Sequence, residues 1–272
     1  MVTRIVVGAV LAPLFFIVLF FLPPIALTVM VSGILALASY ELLTATRATR
    51  HTLVYAATVL CAAAIPFGYY FAREELVLKA VTVVLMCVVF GVAIHRYDGE
   101  ESVPLEHLLS CLFGGLVIPF MLSSLVQLKL MENGKYLVLL PVICAFLTDT
   151  GAYFAGVFLG KHRGITRVSP NKSLEGYIGG ILSGGIFMIL YGLALQRFAG
   201  MEVSLPVIAL YGLIGSAVTE LGDLSFSLIK RQFGVKDYGN LLPGHGGMLD
   251  RFDSMTFAAP TLLVLVQLHL PF

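Results

Sequence analysis

Apolar runs of about twenty residues alternate with short polar breaks from one end of the chain to the other. A spanning helix needs about 20 mostly apolar residues. On that measure nine are predicted, at 4–22, 25–43, 53–72, 76–95, 107–127, 136–159, 175–197, 203–229 and 249–270. The breaks are short and carry Pro or Gly, among them Pro23, Pro24, Gly134 and Gly200. The expected fold is therefore an all-α integral membrane protein of about nine transmembrane helices. Residues 1–130, about five helices, read as an N-terminal scaffold, and 131–272 as the region that carries the dense polar stretches. Arg4 ahead of an apolar run also fits a secretory signal peptide. That run is long enough to span and lacks a small-residue cleavage site, so a retained first helix is expected.

Basic residues orient the helices. Counted by loop, eleven Lys or Arg fall at the N-terminus and the even-numbered connections, including Arg4, Arg47, Arg50, Lys161, Lys230 and Arg231, against five on the opposite side. The positive-inside bias then puts the dense polar loops in the cytosol, and a bacterial inner membrane is the expected location. At about 1.5 Å rise per residue, Asp149, Asp223, Asp250 and Asp253 all fall within roughly 20 Å of that surface. Ser216, Glu220, Asp223 and Ser227 recur at helical spacing, as do Asp250, Asp253 and Ser254. Each central charge left in lipid costs about 2.5 to 3.5 kcal/mol, so these stripes should line a polar, cytosol-facing cavity among the C-terminal helices.

Composition agrees: 58% of the 272 residues are hydrophobic and 12% charged, with mean hydropathy +0.95. A soluble domain carries about 25% charge. The formal net charge of +1 gives no reason to expect a nucleic-acid partner. Cys61, Cys87, Cys111 and Cys144 sit singly in apolar runs, as small hydrophobes rather than a disulfide framework or zinc site.

The densest polar stretch is Ser227 to Asp253, which holds Lys230, Arg231, Lys236, Asp237, His245, Asp250, Arg251 and Asp253 around the turn GHGG. Backbone N–H groups at such a turn and at a helix start favour phosphate, with His245, Gly246 and Gly247 as the contacts. Asp223, Asp250 and Asp253 are candidate ligands for Mg²⁺, which accepts carboxylate and phosphate oxygens together. The competing reading is structural ion pairing with Lys230, Arg231 and Arg251. In the connection Gly160–Gly176, Ser169 or Asn171 is expected to cap the next helix, leaving Lys172 and Ser173 facing an anion. Lys161, Arg163 and Arg167 equally fit an interfacial anchor. Glycines at 176, 180 and 184 follow the small-xxx-small spacing of closely packed helices.

At these residues the chain resembles the phosphatidate cytidylyltransferases, or CDP-diacylglycerol synthases. The resemblance rests on Ser227, Ile229, Lys230, Arg231, Lys236, Asp237, Gly239, Pro243, His245, Gly246, Gly247, Met248, Asp250, Arg251, Phe252 and Asp253. TDTGAYFAG around Asp149, SPNKSLEG from Ser169 and GDL at 222–224 look like the same family. Two positions depart from its pattern: Ser173, often Thr, and Phe226, often acidic.

The resemblance implies an Mg²⁺-dependent integral enzyme, with room for a second cation. It would join CTP and phosphatidic acid into CDP-diacylglycerol and pyrophosphate, as a homodimer. Asp223, Asp250, Asp253, Lys172, Lys230 and Arg231 become the expected catalytic residues. Asp149, Lys161, Ser169, Ser173, Ser227, Lys236, His245, Gly246, Gly247 and Arg251 become expected substrate contacts. Activity on another lipid phosphate or a polyprenol, and ion-coupled transport, are the alternatives.

Overall fold

The structure is a computed structural model that describes residues 13–48, 51–97, 103–241 and 246–272. Arg4, Arg50, Pro243 and His245 lie outside the described residues, as do residues 4–12 of the first predicted span. The described chain is all helical and contains no strand; an isolated antiparallel bridge joins Arg163 and Ser173.

After a helical stretch at 13–20, eight long helical segments follow. They are α1 (Pro24–Ala45), α2 (Thr52–Tyr70), α3 (Glu74–His95), α4 (Leu105–Leu130), α5 (Gly134–Phe158), α6 (Leu174–Ala199), α7 (Leu205–Gln232) and α8 (Leu249–Leu268). Seven of them, α1 to α7, are long and apolar enough to cross a membrane. The chain is thus a multi-pass membrane protein. Helix α8 forms where predicted, but Asp250, Arg251 and Asp253 crowd its first turns.

Backbone contacts divide the chain into two compact units, residues 1–135 with 232–252, and residues 136–231 with 253–272. In the first unit, α1 starts on Pro23 and Pro24, where a missing N–H costs nothing. Helix α4 is interrupted by a π turn at Phe113–Val117, and Gly115 lets it approach its neighbours closely. A Cβ there would stand 2.9 Å from Leu85 Cδ1 and 3.0 Å from Thr58 Cγ2. Two hydroxyls join helices across apolar surfaces: Ser32 donates to the Ala63 carbonyl and Ser39 to that of Gly114. Such bonds supply specificity where lipid offers no hydrophobic driving force between helices.

In the second unit, α6 carries the glycine stripe and packs close to α5 and α7. A Cβ on Gly176 would lie 3.1 Å from the Ala152 carbonyl oxygen, and one on Gly180 would lie 3.1 Å from Ala152 Cβ and 2.9 Å from Glu220 Oε1. Ser183 adds hydrogen bonds to the carbonyls of Leu147, at 2.9 Å, and Gly180, at 2.8 Å. Helix α6 ends in a π turn at Leu195–Ala199, stopped by Gly200 with φ +65°. Helix α7 has 28 residues. At 1.5 Å each it runs about 42 Å against a hydrocarbon core of about 30 Å. Its last two turns, from Ser225 to Gln232, therefore extend past the depth that lipid alone would require.

Candidate functional site

Each unit gathers its own set of carboxylates, with Glu41 buried in one and Glu220 and Asp253 in the other, and the two sets have different partners. In the second unit the centre is Lys172, immediately before α6. Its ammonium lies 2.6 Å from Glu220 Oε2 and 2.5 Å from Asp223 Oδ2, both on α7, and 5.2 Å from the ring centre of Tyr177. Burial lowers the pKa of Lys172, but Asp223 and then Glu220 outweigh it and hold the ammonium above its ordinary value of 10.5.

Glu220 is only 4% exposed, and its Oε1 is buried without a hydrogen-bond partner, as are Thr148 Oγ1 and Ser216 Oγ. Asp149 on α5 lies within electrostatic reach of Asp223, Asp253, Lys172 and Glu220. Asp253 is 7% exposed, and one of its oxygens accepts the Ser254 N–H at 2.7 Å. Two of these carboxylates thus share one ammonium, on a helix that the α6 glycines allow to come close.

The connection before α6 is built differently from the sequence expectation. The cap is Ser173 rather than Ser169 or Asn171: its backbone is extended, at φ −112° and ψ 157°, and its Oγ accepts the Gly176 N–H at 3.1 Å. Ser173 and Gly176 are the first and fourth residues of the turn, the spacing over which a capping hydroxyl reaches. Lys172 accordingly faces α7. Glu175 accepts from His162 Nδ1 at 2.6 Å and from the His162 N–H at 3.2 Å, and so ties the connection back to the helix start. Lys161 is exposed and Ser169 half-buried in the same connection. Ser227 lies one turn past Asp223 and is half-buried; beyond it Lys230 is buried and Arg231 exposed.

In the first unit the carboxylates hold backbone. Glu41, near the end of α1 and 4% exposed, accepts the Met248 N–H at 2.9 Å and the Leu249 N–H at 2.8 Å. Asp250 Oδ2 accepts the Tyr238 N–H at 2.8 Å and the Gly247 N–H at 3.1 Å. Gly246 adopts φ +87°, which explains a glycine there.

Of the expected phosphate contacts, Gly247 donates its N–H to Asp250, and the neighbouring amides of Met248 and Leu249 donate to Glu41. The favourable field of the helix start is already answered by negative charge. Lys236 and Arg251 in this unit are exposed.

The structure therefore brings together Asp149, Lys172, Asp223 and Asp253 in one unit, and Asp250, Gly246 and Gly247 in the other. Among the described residues no three His, Cys, Asp or Glu side chains are spaced to hold a metal ion by themselves. Two acidic residues at these sites had no assigned role from the sequence. Glu220 was visible on the polar stripe of α7. Glu41 was visible only as a lone carboxylate in an apolar span, which is itself a functional signal.

Comparison with known proteins gives a consistent result. A profile of the Cytidylyltransferase family matches residues 2–269. Proteins named phosphatidate cytidylyltransferase are similar over 135 residues: that of Staphylococcus epidermidis is 44% identical, that of Staphylococcus aureus 43% and that of Staphylococcus saprophyticus 42%. Each alignment covers 50% of this chain and 50% of the relative. The chain thus spans about half the length of the curated relatives it matches.

Proposed function

The chain belongs to the cytidylyltransferase family, and on that premise we propose that it transfers the cytidylyl group of CTP to phosphatidic acid. The products are CDP-diacylglycerol and pyrophosphate, for phospholipid synthesis. Similarity to proteins of that name supports the substrates. The observation that carries the chemistry is the Lys172 ammonium held between Glu220 and Asp223, with Asp149 and Asp253 in reach.

In the reaction an oxygen of the lipid phosphate attacks the α-phosphorus of CTP. A new P–O bond forms, the bond from the α-phosphorus to the β-bridging oxygen breaks, and pyrophosphate leaves with that electron pair. The nucleophile is already anionic at neutral pH, so no Ser–His pair or general base is required. The protein's task is positioning and charge neutralisation, as in phosphoryl transfer generally. Lys172 is the fixed positive charge of the acidic group, and its raised pKa keeps it protonated throughout the physiological range. Lys230 and Arg231, at the end of α7, supply further positive charge for triphosphate and phosphatidate.

The donor set fits a divalent cation in type. It is all oxygen, it exceeds the charge of Lys172, and the Glu220 Oε1 atom is orphaned. Mg²⁺ arriving with a nucleotide needs one or two carboxylates rather than an all-protein cage. Asp223 and Asp253 would hold it, with Asp149 beside them, and it would offset the negative charge of the transferring phosphate. Asp250 fixes the turn that begins α8.

The positive-inside bias supports a cytosolic opening in a bacterial inner membrane, through which CTP enters from water while the diacyl substrate arrives from the leaflet. A nine-span topology and a homodimer are part of the same reading.

Purified protein with labelled CTP, phosphatidic acid and Mg²⁺ should yield a CDP-lipid and pyrophosphate. Folded protein that forms neither, with CTP or dCTP and across several lipid phosphates, would reject the transferase reading.

A further inference from the structure

We propose that Glu41 is a positioning residue for the reaction: from the end of α1 it sets the backbone that presents Gly246, Gly247 and Asp250. This inference rests on the cytidylyltransferase reading. The contact is bidentate. One carboxylate oxygen accepts the Met248 N–H at 2.9 Å and the other the Leu249 N–H at 2.8 Å, across 207 and 208 residues of sequence.

An ordinary helix cap comes from the residue just before the helix. Here a carboxylate is recruited from a distant apolar helix and kept 4% exposed, although Asp250 already serves the same turn locally. Burying a charge in that way is costly unless its oxygens are fully engaged. Local capping does not explain the arrangement; holding the turn in a fixed register does.

Two glycines make room for it. A Cβ on Gly239 would stand 2.5 Å from Glu41 Oε1, and one on Gly247 would stand 2.6 Å from Oε2. Glu41 thus touches the signature on both sides of residues 242–245. Asp250 joins the same two flanks through the N–H groups of Tyr238 and Gly247. The two carboxylates together fix the segments that carry Lys236, Asp237, Gly246, Gly247, Asp250 and Arg251.

Glu41→Gln tests this directly. It keeps the size of the side chain, but its NH₂ group meets one of the two amides donor to donor. Expected is a fall in kcat of about 10²-fold, the scale on which a misplacement of about 1 Å acts, at KM values for CTP and phosphatidate within about twofold of the parent. Glu41→Asp, which keeps the charge, should recover part of the loss. Hydrogen exchange supplies a readout apart from turnover: the amides of Met248 and Leu249 should exchange faster in Glu41→Gln, with those around Lys172 and Asp223 unchanged. Folded Glu41→Gln with parental kcat, or exchange that rises uniformly or not at all, would overturn the proposal.

Should Glu41→Gln fail to fold, Gly239→Ala presses on the same carboxylate from the other side. It should give the same loss of kcat at steady KM, and parental kcat would count against the idea. A parent protein without transferase activity would defeat the functional reading instead, leaving the exchange measurement to decide on Glu41.

Discussion

The two units use their carboxylates in opposite ways. In one, Glu41 and Asp250 accept from backbone N–H groups at the start of α8, donors that cannot move without unwinding the helix. In the other, Glu220 and Asp223 share the side chain of Lys172, a flexible cation on a four-carbon stem. A carboxylate bound to fixed amides defines a shape. One bound to a lysine is held ready, because substrate phosphates or a metal can take over either partner. On the proposed function, the carboxylates of the first unit would serve geometry and those of the second the reaction.

The strongest way to break the contrast is to remove the lysine. Lys172→Met leaves Glu220 buried beside Asp223 without its cation, and removing one partner of a buried pair costs about 3 to 5 kcal/mol. Thermal unfolding in detergent should show that loss, and CDP-lipid formation should fall by about 10²-fold or more. Adding Glu220→Gln should restore much of the stability but not the turnover. A double variant no more stable than Lys172→Met alone would mean that the ion pair is not the source of the loss.

Asp250→Ala is the matching change in the first unit. The Tyr238 and Gly247 N–H groups share one acceptor, Oδ2, and both lose it, at about 1 to 3 kcal/mol for each donor left unsatisfied. The distinguishing expectation is that stability and turnover fall together here, with no second-site carboxylate change able to recover stability. Unaltered unfolding in Asp250→Ala would remove its role in holding Tyr238 and Gly247.

Gly180→Ala should have a smaller effect. Its Cβ would stand 2.9 Å from Glu220 Oε1 and 3.1 Å from Ala152 Cβ, an overpacking of about 1 to 3 kcal/mol. Because the strain falls on Glu220, turnover should drop more than it does for an alanine placed at an open glycine such as Gly33, which has nothing within 4 Å. Equal rates for the two variants would detach the glycine stripe from the site.

The smallest effect is that of pH. The ammonium of Lys172 has a folded pKa above its ordinary value of 10.5, so its stabilising contribution is complete below that value and is lost as pH rises through the folded one. The stability difference between parent and Lys172→Met should therefore begin to narrow with rising pH only above about 10.5. Narrowing as pH rises from about 9 to about 10 would contradict the pairing with Glu220 and Asp223.

Much of the architecture was legible in the sequence because length and apolarity alone define a spanning helix. Segments expected at 175–197 and 203–229 appear as Leu174–Ala199 and Leu205–Gln232. Depth and helical phase grouped Asp149, Asp223, Asp250 and Asp253; the first, second and fourth fall in one unit, whereas Asp250 falls in the other and holds the backbone of Tyr238 and Gly247. Contacts decided by backbone shape did not follow. Ser169, Asn171 and Ser173 all offered a capping group within five residues, and only the extended backbone at Ser173 selects among them. Nor did the sequence reveal that the amides of Gly247, Met248 and Leu249 already have carboxylate partners. One of those partners, Glu41, has no periodic polar companion on α1 and lies more than two hundred residues away.

The most direct measurement is steady-state formation of CDP-lipid from CTP and phosphatidic acid by Asp223→Asn beside its parent, with Mg²⁺ present. Expected is a rate lower by about 10² to 10³-fold in protein that unfolds near the parental temperature, since asparagine can still accept from Lys172. A folded variant turning over at more than half the parental rate would contradict the assignment of the reaction to the carboxylates around Lys172.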